Sequence, residues 1–144
     1  MRYIHFLMLL FLLMLGMTSA RAQGFVVDSA RYGPDTVYVM PDYTASFPGG
    51  KARMWEYIRT KFDIYAEGGS STEGAKEGTM EFSFVVEQTG KIKYVVMNKS
   101  VSAAYDDEMT RTLLSMPKWQ PATYQGRKVR SLQTGHYTLN FYQH

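Results

Sequence analysis

From Thr79 the chain alternates residue by residue: Met80, Phe82, Phe84 and Val86 fall on one side of the pattern, Thr79, Glu81, Ser83 and Glu87 on the other. A period of two is what a half-buried strand requires. After Gln88-Thr89-Gly90-Lys91, residues suited to a turn, the alternation resumes with Ile92, Tyr94 and Val96 set against Lys93, Val95 and Met97. A hairpin is expected. Two other stretches have helical spacing instead. Starting near Lys51, just after Phe47-Pro48-Gly49-Gly50, the residues Met54, Trp55, Ile58 and Phe62 recur on one side, and Arg53, Glu56, Arg59 and Lys61 are left for water. After Ser102 the stripe is Tyr105, Met109, Leu113 and Met116; Asp106, Asp107 and Glu108 lie in the first turns, where the helix dipole favours negative charge, and Pro117 ends the helix.

Shorter signals complete the order. Thr36 to Met40 is strand-like between the turn signals Gly33-Pro34 and Pro41-Asp42. Glu67 to Gly78 is polar, glycine-rich and loop-like. Lys128 to Tyr142 is a last extended segment in which Tyr137, Leu139 and Phe141 alternate, with Gly135 expected at a bulge or bend. The sequence of strand, helix, hairpin, helix and strand predicts an α+β fold, a small antiparallel sheet with two helices on one face. Trp55 and Trp119, each beside a helix stripe, are expected to be largely buried.

The N-terminus reads differently from the rest. Ile4 to Met17 is an apolar run of about 14 residues behind Met1 and Arg2, short of the roughly 20 a spanning helix needs and right for a signal peptide. Ala20-Arg21-Ala22 fits the small-residue cleavage rule and puts the mature N-terminus at Gln23. The chain is thus expected to divide into a signal peptide at 1–22, a leader with a short strand at 23–46, and a domain at 47–144. An uncleaved inner-membrane anchor facing the periplasm is the alternative. Losing residues 1–22 removes Arg2 and Arg21 and leaves 14 basic against 13 acidic side chains, a net of +1. Without a basic stripe, nucleic acid is not an expected partner. There are no cysteines, which excludes a lipid-anchored cysteine, a disulfide framework and a thiolate metal site.

Catalytic chemistry finds little support. A Ser-His-Asp arrangement would have to use His136, and no Gly-x-Ser-x-Gly elbow accompanies it. Asp106-Asp107-Glu108 points in directions about 100° apart on a helix and does not converge on one ion. Gly69 to Lys76 lacks the Gly-Lys spacing of a phosphate loop and has no strand feeding it. The expectation is a protein that is not an enzyme, with no cofactor, no metal and no small-molecule substrate.

Four pieces stand in order: Phe47-Pro48-Gly49-Gly50; Phe84-Val85-Val86-Glu87 running into Gly90-Lys91-Ile92; Met116-Pro117-Lys118-Trp119-Gln120-Pro121; and Gly126-Arg127-Lys128-Val129 before a final strand. Together, over Thr36 to Tyr142, they resemble the C-terminal domain of TonB energy transducers, in the variety that begins with Phe-Pro-Gly-Gly. The resemblance implies a TonB C-terminal-like fold and a periplasmic role in transport across the outer membrane of a Gram-negative envelope. It also implies capture of the extended N-terminal peptide of a TonB-dependent outer-membrane transporter by strand addition, which is a known mode of peptide recognition. The candidate positions are His136, Thr138, Asn140 and Tyr142 on the last segment. Tyr65 and Ala66 join them, standing where the family usually carries Tyr-Pro near the receptor peptide. A transducer also has a membrane anchor and a long proline-rich arm. Gln23 to Ser46 spans roughly 80 Å at most when fully extended, so a binding module separate from a full transducer is expected. The second expectation, from a different class, is a self-associating structural or accessory protein in which the same edge pairs with its own copy to give a homodimer.

Overall fold

The computed structural model describes residues 28–63 and 77–140 in full, together with the backbone of residues 25 and 26. The signal segment 1–22, the loop expected from Glu67 and the candidate positions Tyr65, Ala66 and Tyr142 lie outside the fully described residues. Among the described residues no helix is long and apolar enough to cross a membrane.

The fold is α+β, as the order of periodicities predicts. Its centre is β3 (Gly78–Val86), which pairs antiparallel with β4 (Ile92–Lys99) on one side and with β7 (Ser131–Leu139) on the other. Beyond β7 come two short strands, β2 (Val37–Tyr38) and β1 (Phe25–Val26), giving the sheet order β1-β2-β7-β3-β4. The pairing of β2 with β7 is parallel, so the sheet is mixed rather than purely antiparallel.

Both predicted helices form and both contribute to one core. From α2 (Gly50–Lys61), Ile58 is fully buried, with Phe62 at its C-cap, and from α3 (Ala103–Leu114) so are Tyr105, Met109 and Leu113. These meet Met80, Phe82, Phe84 and Val86, the alternate residues of β3 expected to face inward. Ser102 caps α3 by accepting from the Tyr105 N–H, so the polar residue before the apolar stripe sets where the helix begins. Glu108, in the acidic run, is buried and held by Arg111 at 2.6 Å and by the Asp63 N–H at 3.0 Å. Its role is to join the end of α2 to α3.

The opposite face of the sheet is covered too, which the alternation did not anticipate. A short helix α1 (Ser29–Tyr32), begun by Asp28 accepting from the Arg31 N–H, puts Tyr32 against Val37 and Val85 in a second small core. The Tyr32 hydroxyl lies 3.1 Å from that of Ser83, which also accepts from the Asn98 amide. Ser83, expected to face water, is therefore buried with its hydroxyl satisfied.

Two departures from regular alternation share a cause on this face. Tyr94 has a positive φ of 53°, and the β3–β4 register shifts between Ser83 and Val85. The bulge reverses the parity of β4: Val95 and Met97 pack on the main core, whereas Tyr94 and Val96 had been expected on the same side as Ile92. The displaced Tyr94 ring covers Arg130, whose guanidinium carbon is 5.3 Å from the ring centre. Arg130 itself is buried and donates from Nε to both Glu87 carboxylate oxygens at 3.1 Å, from Nη1 to the Asp35 carbonyl at 2.8 Å and from Nη2 to the Tyr32 carbonyl at 2.7 Å. The Arg130 carbonyl accepts from the Tyr38 N–H at 2.8 Å. Here the expected single segment from Lys128 to Tyr142 divides. Its first part becomes β6 (Arg127–Val129), paired with β5 (Ala122–Tyr124) in a separate two-stranded sheet, and its second part becomes β7.

Three of the four sequence pieces, far apart along the chain, meet around Trp119, which is 6% exposed. Phe47 and Phe84 each present an edge to its ring, at 5.8 and 5.5 Å between centres. Ser46 and Gln120 exchange main-chain hydrogen bonds at 2.9 and 3.0 Å, and the Trp119 N–H donates to the Gly90 carbonyl at 2.9 Å. Gly90 has a φ of +84°, and a Cβ there would lie 2.2 Å from the Trp119 carbonyl oxygen. The hairpin turn thus needs glycine both for its left-handed backbone and for this contact.

Candidate functional site

Of the candidate residues, His136 and Thr138 are exposed on β7 and Asn140 is exposed just past its end. The backbone there has one side already occupied. All nine residues of β7 are in register with β3, from Gly78 opposite Leu139 to Val86 opposite Ser131. On the other side, β2 reaches only Ser131, opposite Tyr38, before the chain turns away at Val39. From Gln133 to Leu139 that edge has no strand partner among the described residues.

Two observations give the direction of the main-chain groups along this edge. The Arg130 carbonyl points toward β2, and alternate residues of a strand direct their N–H and C=O to the same side. Independently, the Thr79 and Thr138 hydroxyls are 3.0 Å apart, as suits a pair that exchanges no main-chain hydrogen bonds and brings its side chains close. By both arguments Leu132, Thr134, His136 and Thr138 direct their main-chain groups away from β3; the Leu132 N–H meets β2 through the Tyr38–Ser131 pairing, and the groups of Thr134, His136 and Thr138 face the open edge. Continued regularly, the same parity includes Asn140.

The other outer strand of the sheet contrasts with it. β4 carries Lys93 and Lys99, and its regularity is broken by the bulge at Tyr94. Lysines and bulges are how proteins blunt a free edge against unwanted pairing. Between Ser131 and Leu139 there is no lysine, arginine or proline, and the register with β3 has no shift. The β7 edge is open and regular.

A groove of about 400 Å³ runs beside it. One wall is Gln133-Thr134-Gly135-His136, consecutive residues of both side-chain parities, so the groove follows the edge of β7 rather than one face. The other wall is Thr44-Ala45-Ser46-Phe47, with Lys51, Met54 and Trp55 from the start of α2. Phe82, Phe84 and Trp119 complete the lining. The volume falls within the ~300–1,000 Å³ of ligand clefts.

Gly135 is not at a bulge: the β3–β7 register passes through it unbroken, opposite Phe82. Its purpose is close approach. A Cβ there would lie 2.7 Å from the Phe82 ring, so glycine lets that ring pack against β7, and 3.5 Å from that of Trp55, an ordinary contact distance. Trp55 is accordingly half-buried, against the expectation of a largely buried ring, because it lies at the groove mouth. It stacks on Tyr137 at 6.5 Å, and burial pushes the Tyr137 hydroxyl above its ordinary pKa, an effect partly offset by Arg59. Sequence reasoning thus found the edge and missed the residues that flank it: Lys51, Met54, Trp55, Phe82 and Gly135. The one available signal was a glycine inside an alternating strand.

The arrangement can bind an extended main chain. His136, the residue on which a catalytic triad would have depended, lies across from Glu81 on the adjacent strand. In comparisons with known proteins, no family model and no curated protein matches this chain.

Proposed function

We propose that this chain is a TonB C-terminal-like binding module, not an enzyme, which captures the extended N-terminal peptide of a TonB-dependent outer-membrane transporter by adding it to the sheet as a strand. One observation carries the reading: the open, regular and unblunted edge of β7 from Gln133 to Leu139, with the donors and acceptors of alternate residues directed outward. In such binding the main chain supplies most of the affinity and neighbouring grooves the selectivity. The meeting of three of the family-like sequence pieces around Trp119 supports the same reading, since it gives them a common structural reason. The place of action that goes with it is the periplasm, after cleavage behind Ala22. Intact mass of the protein from a periplasmic fraction should correspond to a chain starting at Gln23, and a membrane-bound product retaining Met1 would contradict it.

The functional test uses two substitutions at the edge. Asn140→Pro removes an outward main-chain donor and places a ring in the added ladder, while leaving the buried side chains of β7 untouched. Thr138→Ser keeps the main chain intact. Titrated with peptides from transporter N-termini, the proline variant should lose at least about tenfold in affinity, the order expected when one or two hydrogen bonds are removed. The serine variant should bind like the original. Light scattering on the same samples detects the rival outcome. A dimer that the proline variant abolishes, with no peptide bound by any form, would assign the edge to self-association instead.

A further inference from the structure

If the β7 edge supplies general affinity for an extended chain, the groove beside it is placed to read side chains. The lane next to β7 is occupied by β2 at Ser131 and vacated beyond it, so an added strand has room for about eight residues, Gln133 to Asn140, before the described residues end. In mid-lane it meets an unusual surface. Gly135 lets the Phe82 ring pack against β7, and beside this bare backbone the half-buried Trp55 and Met54 give the groove an apolar lining. A large apolar side chain on the incoming strand, opposite this stretch, would cover the half-buried Trp55 and Met54; the Phe82 ring is already buried in the core. Cross-strand pairs with aromatic residues are among the favourable ones.

Charge narrows the occupant further. Lys51 lines the groove, and no aspartate or glutamate does. A second groove, which shares Ser46, Phe47 and Trp119 with the first, is lined by Lys118 and Lys128 and again by no acidic residue. Lysines thus line both adjoining grooves. Their sign favours a partner that carries carboxylates close to its apolar anchor.

We propose that this groove selects its partner: an extended segment of another polypeptide with one large apolar or aromatic residue seated beside Gly135, Trp55 and Met54, and an acidic residue close enough to reach Lys51. The inference rests on the strand-addition reading and adds the chemistry of the partner to it.

The probe is a set of synthetic peptides of about eight residues, built on alternating valine and threonine to favour extension. The parent has a central phenylalanine and a neighbouring aspartate; one variant replaces the phenylalanine with alanine and another the aspartate with lysine. Fluorescence anisotropy with the purified protein should give roughly tenfold weaker binding for the alanine peptide, as expected when a large apolar side chain leaves a groove. The lysine peptide should bind about fivefold more weakly at low salt, with the gap closing as salt is raised. Lys51→Glu should reverse the charge preference. This substitution suits the fold, because a negative charge is favoured in the first turn of a helix. Trp55→Leu should narrow the difference between phenylalanine and alanine peptides, with a thermal melt verifying that the variant remains folded. Equal affinity for all three peptides would overturn this inference and leave strand addition standing. No binding by any of them, with a dimer seen by light scattering, would overturn both and make a second copy the occupant.

Discussion

Replacing Arg130 with methionine is expected to lower the free energy of unfolding by about 3–5 kcal/mol, the cost of removing one partner from a buried ion pair. The side chain is 7% exposed and Glu87 opposite it 17%. Without the guanidinium, Glu87 keeps a charge with little water to solvate it, and the Tyr32 and Asp35 carbonyls lose their donors. The Tyr94 ring loses the cation it covers. Arg130→Lys should recover only part of the loss, because an ammonium cannot reproduce the planar fork that serves one carboxylate and two carbonyls. The damage has a predicted location. These carbonyls belong to the N-terminal segment, so proteolysis of the variant should begin between residues 28 and 43, before the main core opens. Urea titration gives the magnitude and limited proteolysis the place. A loss under about 1 kcal/mol would mean that the network contributes no more than a surface pair.

Trp119→Ala is expected to cost about 3–5 kcal/mol, the range for deleting a large aromatic side chain from a packed core. The ring is held edge-on by Phe47 and Phe84, and its backbone is tied to the hairpin through Gly90, so neighbours have little freedom to collapse into the cavity. Gly90→Ala tests the same junction from the other side. Its Cβ would meet the Trp119 carbonyl oxygen at 2.2 Å on a backbone with φ of +84°, and moving backbone costs more than moving a side-chain tip. Both variants should shift the denaturation midpoint strongly. If Trp119→Ala instead costs less than about 1 kcal/mol and impairs peptide binding, Trp119 belongs to the ligand surface, since it also lines the groove.

The parts of the fold that were legible in the sequence were those governed by one local rule over many residues. The stripes of α2 and α3 and the inner face of β3 were of this kind: each repeats a single period against a single core. What escaped was set by contacts between distant segments. Nothing near Ser83 signals that Tyr32, 51 residues away, satisfies its hydroxyl. Tyr94 takes a left-handed backbone that its own residue type does not favour, and does so beside Gly33 and Arg130 from two other parts of the chain. Arg130 looked like one more basic residue in an extended segment, yet its network ends one sheet and begins another. At the candidate site the same division holds. The alternation of Tyr137 and Leu139 identified a terminal strand, whereas the groove depends on Thr44 to Phe47 lying across from Gln133 to His136, a juxtaposition with no local signature.

Residue-resolved amide hydrogen exchange on β7, with and without an added transporter peptide, tests the central claim most directly. In the free protein the Gln133, Gly135 and Tyr137 amides face β3 and should already exchange slowly, and those of Thr134, His136 and Thr138 should exchange fast. A strand added at the open edge should slow the second set and leave the first unchanged, an alternation that general stabilisation of the fold cannot produce. Uniform slowing along β7, or new protection confined to β4 or the helices with none at His136 and Thr138, would contradict strand addition at this edge.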